Sequence, residues 1–191
     1  HPWHGIELGA EAPEKVTAFI EMVPTDSVKY EIDKESGYLM IDRPQKFSNI
    51  VPALYGFLPQ TYCGEKVAEY CNEKTGKNTV GDGDPLDVVV LMNDKLVPGC
   101  YIKCKFLGVL ETQDDEGIDP KIIMCPCSKV DPTYTDYNSL TDIPQFTRDK
   151  IKYFFTHYKD LENKVVKIGN WLEKEEAIQI YLNSIIVAKV Y

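Results

Sequence analysis

Gly81-Asp82-Gly83-Asp84-Pro85-Leu86-Asp87 runs directly into the apolar stretch Val88-Val89-Val90-Leu91-Met92. On a continuous strand Asp82 and Asp84 would share a face and Asp87 would point away. Gly83 and Pro85 argue for a turn instead. Glycine admits positive φ, and proline fixes φ and removes a ladder donor. A turn feeding a buried strand gathers all three acids in one place. Packed carboxylates repel, and one pKa rises unless a cation neutralises them. The simplest neutraliser is a hard divalent ion, which takes oxygen ligands. The same residues also read as a solvated acidic turn ahead of a core strand, and spacing alone leaves both readings open.

Downstream, Asp114-Asp115-Glu116-Gly117-Ile118-Asp119-Pro120-Lys121 leads into the strand Ile122-Ile123-Met124-Cys125. This second acidic loop repeats the arrangement of the first, and two such loops favour metal binding more than either alone. Between them, residues 86–92 read as one strand, Val97-Pro98-Gly99 as a turn, and 100–111 as a longer strand with Lys103 and Lys105 on one face. Upstream, 16–23 reads as a strand ended by Pro24. Glu21 lies inside that apolar run, so it either pairs or belongs to a site. Residues 27–32 and 37–43 form a hairpin in which Lys29 and Glu31 share a face, by themselves an exposed polar face with a cross-strand pair. Residues 47–62 read as a buried irregular connection, and 63–80 as a polar surface excursion.

The last third is helical. Ile151, Phe154, Phe155 and Tyr158 form one apolar stripe in 143–158, with Pro144 at the start. Residues 164–169 read as a strand, and 174 to about 188 as a final amphipathic helix. About seven short strands followed by two helices predict a mainly β (α+β) fold, a small antiparallel barrel with outer helices, the main ones C-terminal.

At 191 residues the chain fits one domain over 1–191. With 21 basic and 30 acidic residues, the net charge of −9 opposes nonspecific binding to nucleic acid or to an anionic membrane. No apolar run approaches the roughly 20 residues of a membrane span, and no signal peptide is visible. The six cysteines include no Cys-x-x-Cys pair, and histidines number three, which does not offer a zinc set. They read as reduced cytoplasmic thiols. His1 to Gly5 reads as an irregular arm packing Trp3 on the surface.

Asp82-Gly83-Asp84-Pro85-Leu86-Asp87 resembles the signature of the family I soluble inorganic pyrophosphatases, Asp-x-Asp-Pro-hydrophobic-Asp. The rest of the chain, from about Glu21 to Lys159, follows the family's motif order: Lys29-x-Glu31 then Asp42-Arg43, Tyr55-Gly56, Asp114-x4-Asp119-x-Lys121, and Tyr158-Lys159. The resemblance implies an OB-like barrel and several Mg2+ ions per site. It implies Asp82, Asp87, Asp114, Asp119 and Glu31 at the metals, and Glu21 joins that group. It implies Lys29, Arg43, Tyr55, Lys121, Tyr158 and Lys159 on phosphate oxygens, and Asp84 as general base beside the attacking water. The implied reaction is pyrophosphate to two phosphates, with pyrophosphate and phosphate as ligands. The spacing to Asp119 and Lys121 selects Asp114 over Asp115. A homo-oligomer is expected, hexamer or dimer. The longer 63–80 segment and the phrase Leu58-Pro59-Gln60-Thr61-Tyr62 resemble longer members, which leaves the subunit number open.

Two rival readings are weaker. A calcium loop starting at Asp82 has Leu86 at its fifth position, Asp87 in place of glycine at its sixth and Asn93 in place of glutamate at its twelfth. A single-strand binder is permitted by the barrel but opposed by the charge.

Overall fold

The computed structural model describes residues 1–46 and 49–186. Eight strands are arranged as a six-stranded sheet and a separate hairpin. β1 (Val16–Met22), β4 (Leu54–Phe57), β5 (Asp87–Val90), β7 (Lys121–Pro126) and β6 (Tyr101–Gln113) follow one another in the sheet, and β6 returns to β1. This closes an OB-like barrel. β8 (Lys167–Glu173) adds to the far half of β6. Every barrel pairing is antiparallel except β5 with β7, where Val88, Val89 and Val90 run parallel to Ile122, Ile123 and Met124.

The valine and isoleucine runs are buried on both faces, which accounts for their lack of polar alternation. Val88, Val90, Ile122 and Met124 point into one core with Ala177, Ile180 and Tyr181 of helix α4 (Lys174–Ser184). Val89, Ile123 and Leu107 point the other way, under Ile151 and Phe155 of helix α3 (Gln145–His157). A register shift between Phe106 and Gly108 lets β6 serve both cores. The hairpin of β2 (Val28–Ile32) and β3 (Leu39–Pro44) forms its own two-stranded sheet, packed against β1.

The structure corrects five local expectations. The polar 63–80 segment contains a helix, α2 (Glu65–Thr75), ended by Gly76 at φ +66°. Val67 and Ala68 are buried, and Lys74 pairs with Glu176 of α4 at 2.7 Å, so a short apolar footing suffices where the other face is solvated. The connection over 47–62 contains β4. Gly56 permits it, because a Cβ there would stand 1.8 Å from the Phe19 carbonyl oxygen. The first residues form a four-residue helix, α1 (Pro2–Gly5), and Trp3 is buried with its indole N–H donating to the Thr61 carbonyl at 2.7 Å. The strand expected at 164–169 begins at Lys167. The last helix ends at Ser184, and the part of that expectation beyond residue 186 falls outside the described residues.

The six cysteines are unpaired. Among the described residues, no helix is long and apolar enough to cross a membrane.

Candidate active site

The parallel seam of β5 and β7 continues upstream of both strands. Gly81 bridges Ile118 in parallel, the Ile118 N–H donates to the Val80 carbonyl at 2.8 Å, and the Asp82 N–H donates to the Ile118 carbonyl at 3.3 Å. The two acidic loops therefore lie side by side. Gly117 makes this approach possible. Its φ is +152°, and a Cβ there would sit 2.4 Å from the Val80 carbonyl oxygen. Residues 61–63 hold the first loop from behind. Thr61 Oγ1 accepts from the Leu86 N–H at 2.9 Å, the Cys63 N–H donates to the Asp84 carbonyl at 2.8 Å, and the Gly83 N–H donates to the Cys63 carbonyl at 2.9 Å.

These loops form one wall of a cleft of about 520 Å³, completed by the β2–β3 hairpin and the C-terminal end of α3. Twelve of the thirteen residues singled out from the sequence line it: Glu21, Lys29, Glu31, Arg43, Tyr55, Asp82, Asp84, Asp87, Asp114, Asp119, Tyr158 and Lys159. Lys121 lies beneath the floor, 1% exposed. Its ammonium stands 2.5 Å from Asp119 Oδ2 and 2.6 Å from Asp87 Oδ2. The Tyr55 hydroxyl donates to the same Asp87 oxygen at 2.5 Å. Tyr55 and Lys121 thus engage carboxylates rather than open space.

On the hairpin, Lys29 bonds Glu31 at 2.8 Å and Asp42 at 2.9 Å, and Arg43 bonds Asp42 at 2.5 Å. Lys159 meets Asp114 at 2.5 Å. Asp114 is folded inward, accepting from the N–H groups of Glu116 and Gly117. Asp115 faces solvent at the rim, 3.7 Å from Lys164. Tyr158 packs on Phe154 and Phe155 at the end of α3.

Burial and crowding shape the protonation of this wall. Burial, then the neighbouring Asp87 charge, pushes Asp82 up to about 7. Burial also raises Asp119 well above the carboxylate range, with Asp87 and Asp82 adding to it and Lys121 only partly offsetting it. For Asp87 burial is outweighed by the Lys121 ammonium and the Tyr55 hydroxyl, which hold its carboxyl low. Burial disfavours the Lys121 ammonium too, yet Asp119 and Asp87 outweigh it and keep the lysine charged. Glu21 is raised to about 8 by burial. It accepts the Ile32 N–H at 2.9 Å and makes no ion pair among the described residues. Its carboxyl lines the cleft.

Ten carboxylates line the cleft against five lysine and arginine side chains. That excess, all of it hard oxygen, fits added divalent cations of the magnesium or calcium type. Among the described residues no three His, Cys, Asp or Glu side chains are arranged to hold an ion as they stand. Asp114 and Asp84 instead each rest on a lysine, Lys159 and Lys34.

The sequence model described as Inorganic pyrophosphatase matches residues 18–189. This chain belongs to the inorganic pyrophosphatase family. An inorganic pyrophosphatase of Aquifex pyrophilus is 38% identical over 172 residues, 90% of this chain and 88% of that protein. One from Saccharolobus solfataricus is 39% identical over 170 residues, covering 88% and 89%. The solved inorganic pyrophosphatase of Helicobacter pylori superposes with a TM-score of 0.81 at 37% identity, covering 95% of this chain and 97% of that one.

The structure adds cleft residues to which the sequence reading of this pyrophosphatase family member assigned no role. Asp42 bonds both Lys29 and Arg43. Its place beside Arg43 in the strand was a usable signal. Glu116, within the second acidic loop, and Glu162, in the short 3-10 turn after α3, also line the cleft. Lys34, in the hairpin turn, contacts Asp84.

Proposed function

We propose that this chain hydrolyses inorganic pyrophosphate to two orthophosphates in this cleft, using Mg2+ and a water that attacks one phosphoryl group in line. The observation that carries the reading is the charge pattern of a single cleft: an excess of carboxylates on two apposed loops, faced by Lys29, Arg43 and Lys159. A small polyanion enters an acid-rich pocket only in company with cations. Asp82, Asp87, Asp114 and Asp119, with Glu31 and Glu21, would hold several Mg2+ ions. Bound divalent ions supply polarisation of phosphoryl oxygens and a lowered pKa for water.

The chain's own groups do the rest. Lys29, Arg43 and Lys159 donate charge-assisted hydrogen bonds to phosphate oxygens and fix the substrate's axis. Tyr158 walls the cleft beside Lys159. Tyr55 and Lys121 hold Asp87 and Asp119 in place. Asp84, partly exposed and on the cleft wall, takes the proton of the attacking water.

The whole of 1–191 is read as one domain. Unpaired cysteines fit a reducing compartment, the cytoplasm. Phe146 and Tyr153, 74% and 70% exposed on the outer face of α3, fit contact with a second copy in a homo-oligomer.

Phosphate release from pyrophosphate, ATP and a phosphomonoester, each with and without Mg2+, tests the reading. Release from pyrophosphate alone and only with the metal is expected. No release at neutral to alkaline pH with millimolar Mg2+ overturns it.

A further inference from the structure

One cation at the cleft comes from the turn of the hairpin rather than from a strand or helix. Lys34 sits in the Asp33–Gly37 turn of the hairpin, lines the cleft, and places its ammonium on Asp84. The turn beneath it is fixed. Its carbonyl bonds the His1 ring at 3.0 Å, Asp33 Oδ2 accepts the Ser36 N–H at 2.9 Å, and the Gly37 N–H donates to the Asp33 carbonyl at 2.7 Å. The side chain is not fixed in the same way. It is 56% exposed, and its one hydrogen-bonded partner among the described residues is Asp84, itself 39% exposed. An ion pair this open to water holds little, at most about the strength of an ordinary surface pair. A multiply charged anion competes for the ammonium easily.

The other basic groups leave a gap that Lys34 covers. Lys159 rests at Asp114, and Lys29 with Arg43 rests at Asp42. None of these is ion-paired with the first acidic loop, and Lys121, which reaches Asp87, lies buried beneath the floor. Lys34 pairs with that loop from the cleft side, at the residue that takes the water's proton.

We infer that Lys34 is a further substrate-binding residue, one that leaves Asp84 when pyrophosphate arrives and bonds the phosphoryl group nearest the attacking water. The exchange serves two ends. It adds a charge-assisted donor where negative charge gathers during attack, and it frees Asp84 Oδ1 for the water. The inference rests on the hydrolytic reading above and deepens it.

The test compares wild type with Lys34→Gln and Lys34→Arg, with Lys15→Gln as an exposed control far from the cleft. Binding of methylenediphosphonate, which is not hydrolysed, is measured by calorimetry in Mg2+, alongside steady-state turnover of pyrophosphate and the melting temperature. Lys34→Gln is expected to weaken methylenediphosphonate binding about 10-fold. It should lower kcat/KM by about 10- to 100-fold, the scale of a lost charge-assisted hydrogen bond. The melting temperature should hold, and Lys34→Arg should recover most of both losses. Binding and kcat/KM within twofold of wild type, or a fall in melting temperature alone, would make Lys34 a tether of the hairpin and overturn the inference. If wild type fails to release phosphate, the hydrolytic reading falls, while the binding comparison still decides whether Lys34 holds a diphosphate.

Discussion

Lys121 and Asp119 meet at 2.5 Å below the floor of the cleft, and the lysine is 1% exposed. The same ammonium reaches Asp87 at 2.6 Å. One buried positive charge therefore tethers the ends of both acidic loops. Removing one partner of a buried pair leaves the other uncompensated, at a typical cost of about 3–5 kcal/mol. Lys121→Met is expected to lower stability by that amount in urea unfolding with a chelator present. A loss under about 1 kcal/mol would mean that Asp87 and Asp119 relax into water without it.

Asp114 and Asp115 are neighbours with opposite surroundings. Asp114 is folded into the cleft against Lys159, and Asp115 stands at the rim. Asp114→Ala should sharply raise the Mg2+ concentration needed for activity. Asp115→Ala should act as a surface change of within about 0.5 kcal/mol. Metal titrations of turnover rank the two, and the reverse ranking would reopen the assignment of Asp119 as well.

Asp84→Asn keeps the shape of the side chain and removes its capacity to take a proton. The turn around it is held by main-chain bonds to Cys63, so the fold should persist. Turnover should fall by at least ~100-fold, the lower range for loss of a general base. Near-normal turnover would leave Asp84 with only its place in the turn.

Glu21 offers a pH test. Its folded pKa is raised to about 8 from 4.5, so the folded protein keeps a proton that the unfolded chain has lost. Stability then falls as pH rises between those values and levels off above the upper one. Glu21→Gln removes this contribution. In metal-free buffer the variant's melting temperature should gain on wild type steadily from about pH 5 to 8. Parallel curves would show that Glu21 titrates normally.

What could be read without coordinates depended on how local each signal was. Asp82, Asp84 and Asp87 are contiguous and sit between punctuating residues and an apolar strand, so both the turn and the core strand were legible. The stripe Ile151, Phe154, Phe155 and Tyr158 marked α3 by its own spacing. Lys34 carried no such mark, because a lysine in an acidic turn has the same local pattern whether or not a cleft lies beside it. α2 escaped because only Val67 and Ala68 are buried on an otherwise polar helix. β4 escaped because Pro52 and Pro59 flank it closely, and its pairing with β1 depends on Gly56 meeting the distant Phe19. Lys121 was legible as part of the site, but its burial under Asp87 and Asp119 follows from two loops far apart in the chain.

The parallel seam between β5 and β7 joins segments separated by the whole of β6. Parallel neighbours cannot be closed by a short turn, and such long-range pairing is slow to form. The two acidic loops come into register only when that seam closes, whereas α2, α3 and the β2–β3 hairpin can form from nearby residues. Turnover is accordingly a late reporter of refolding: a chain diluted from denaturant regains its helical signal before it regains the power to release phosphate.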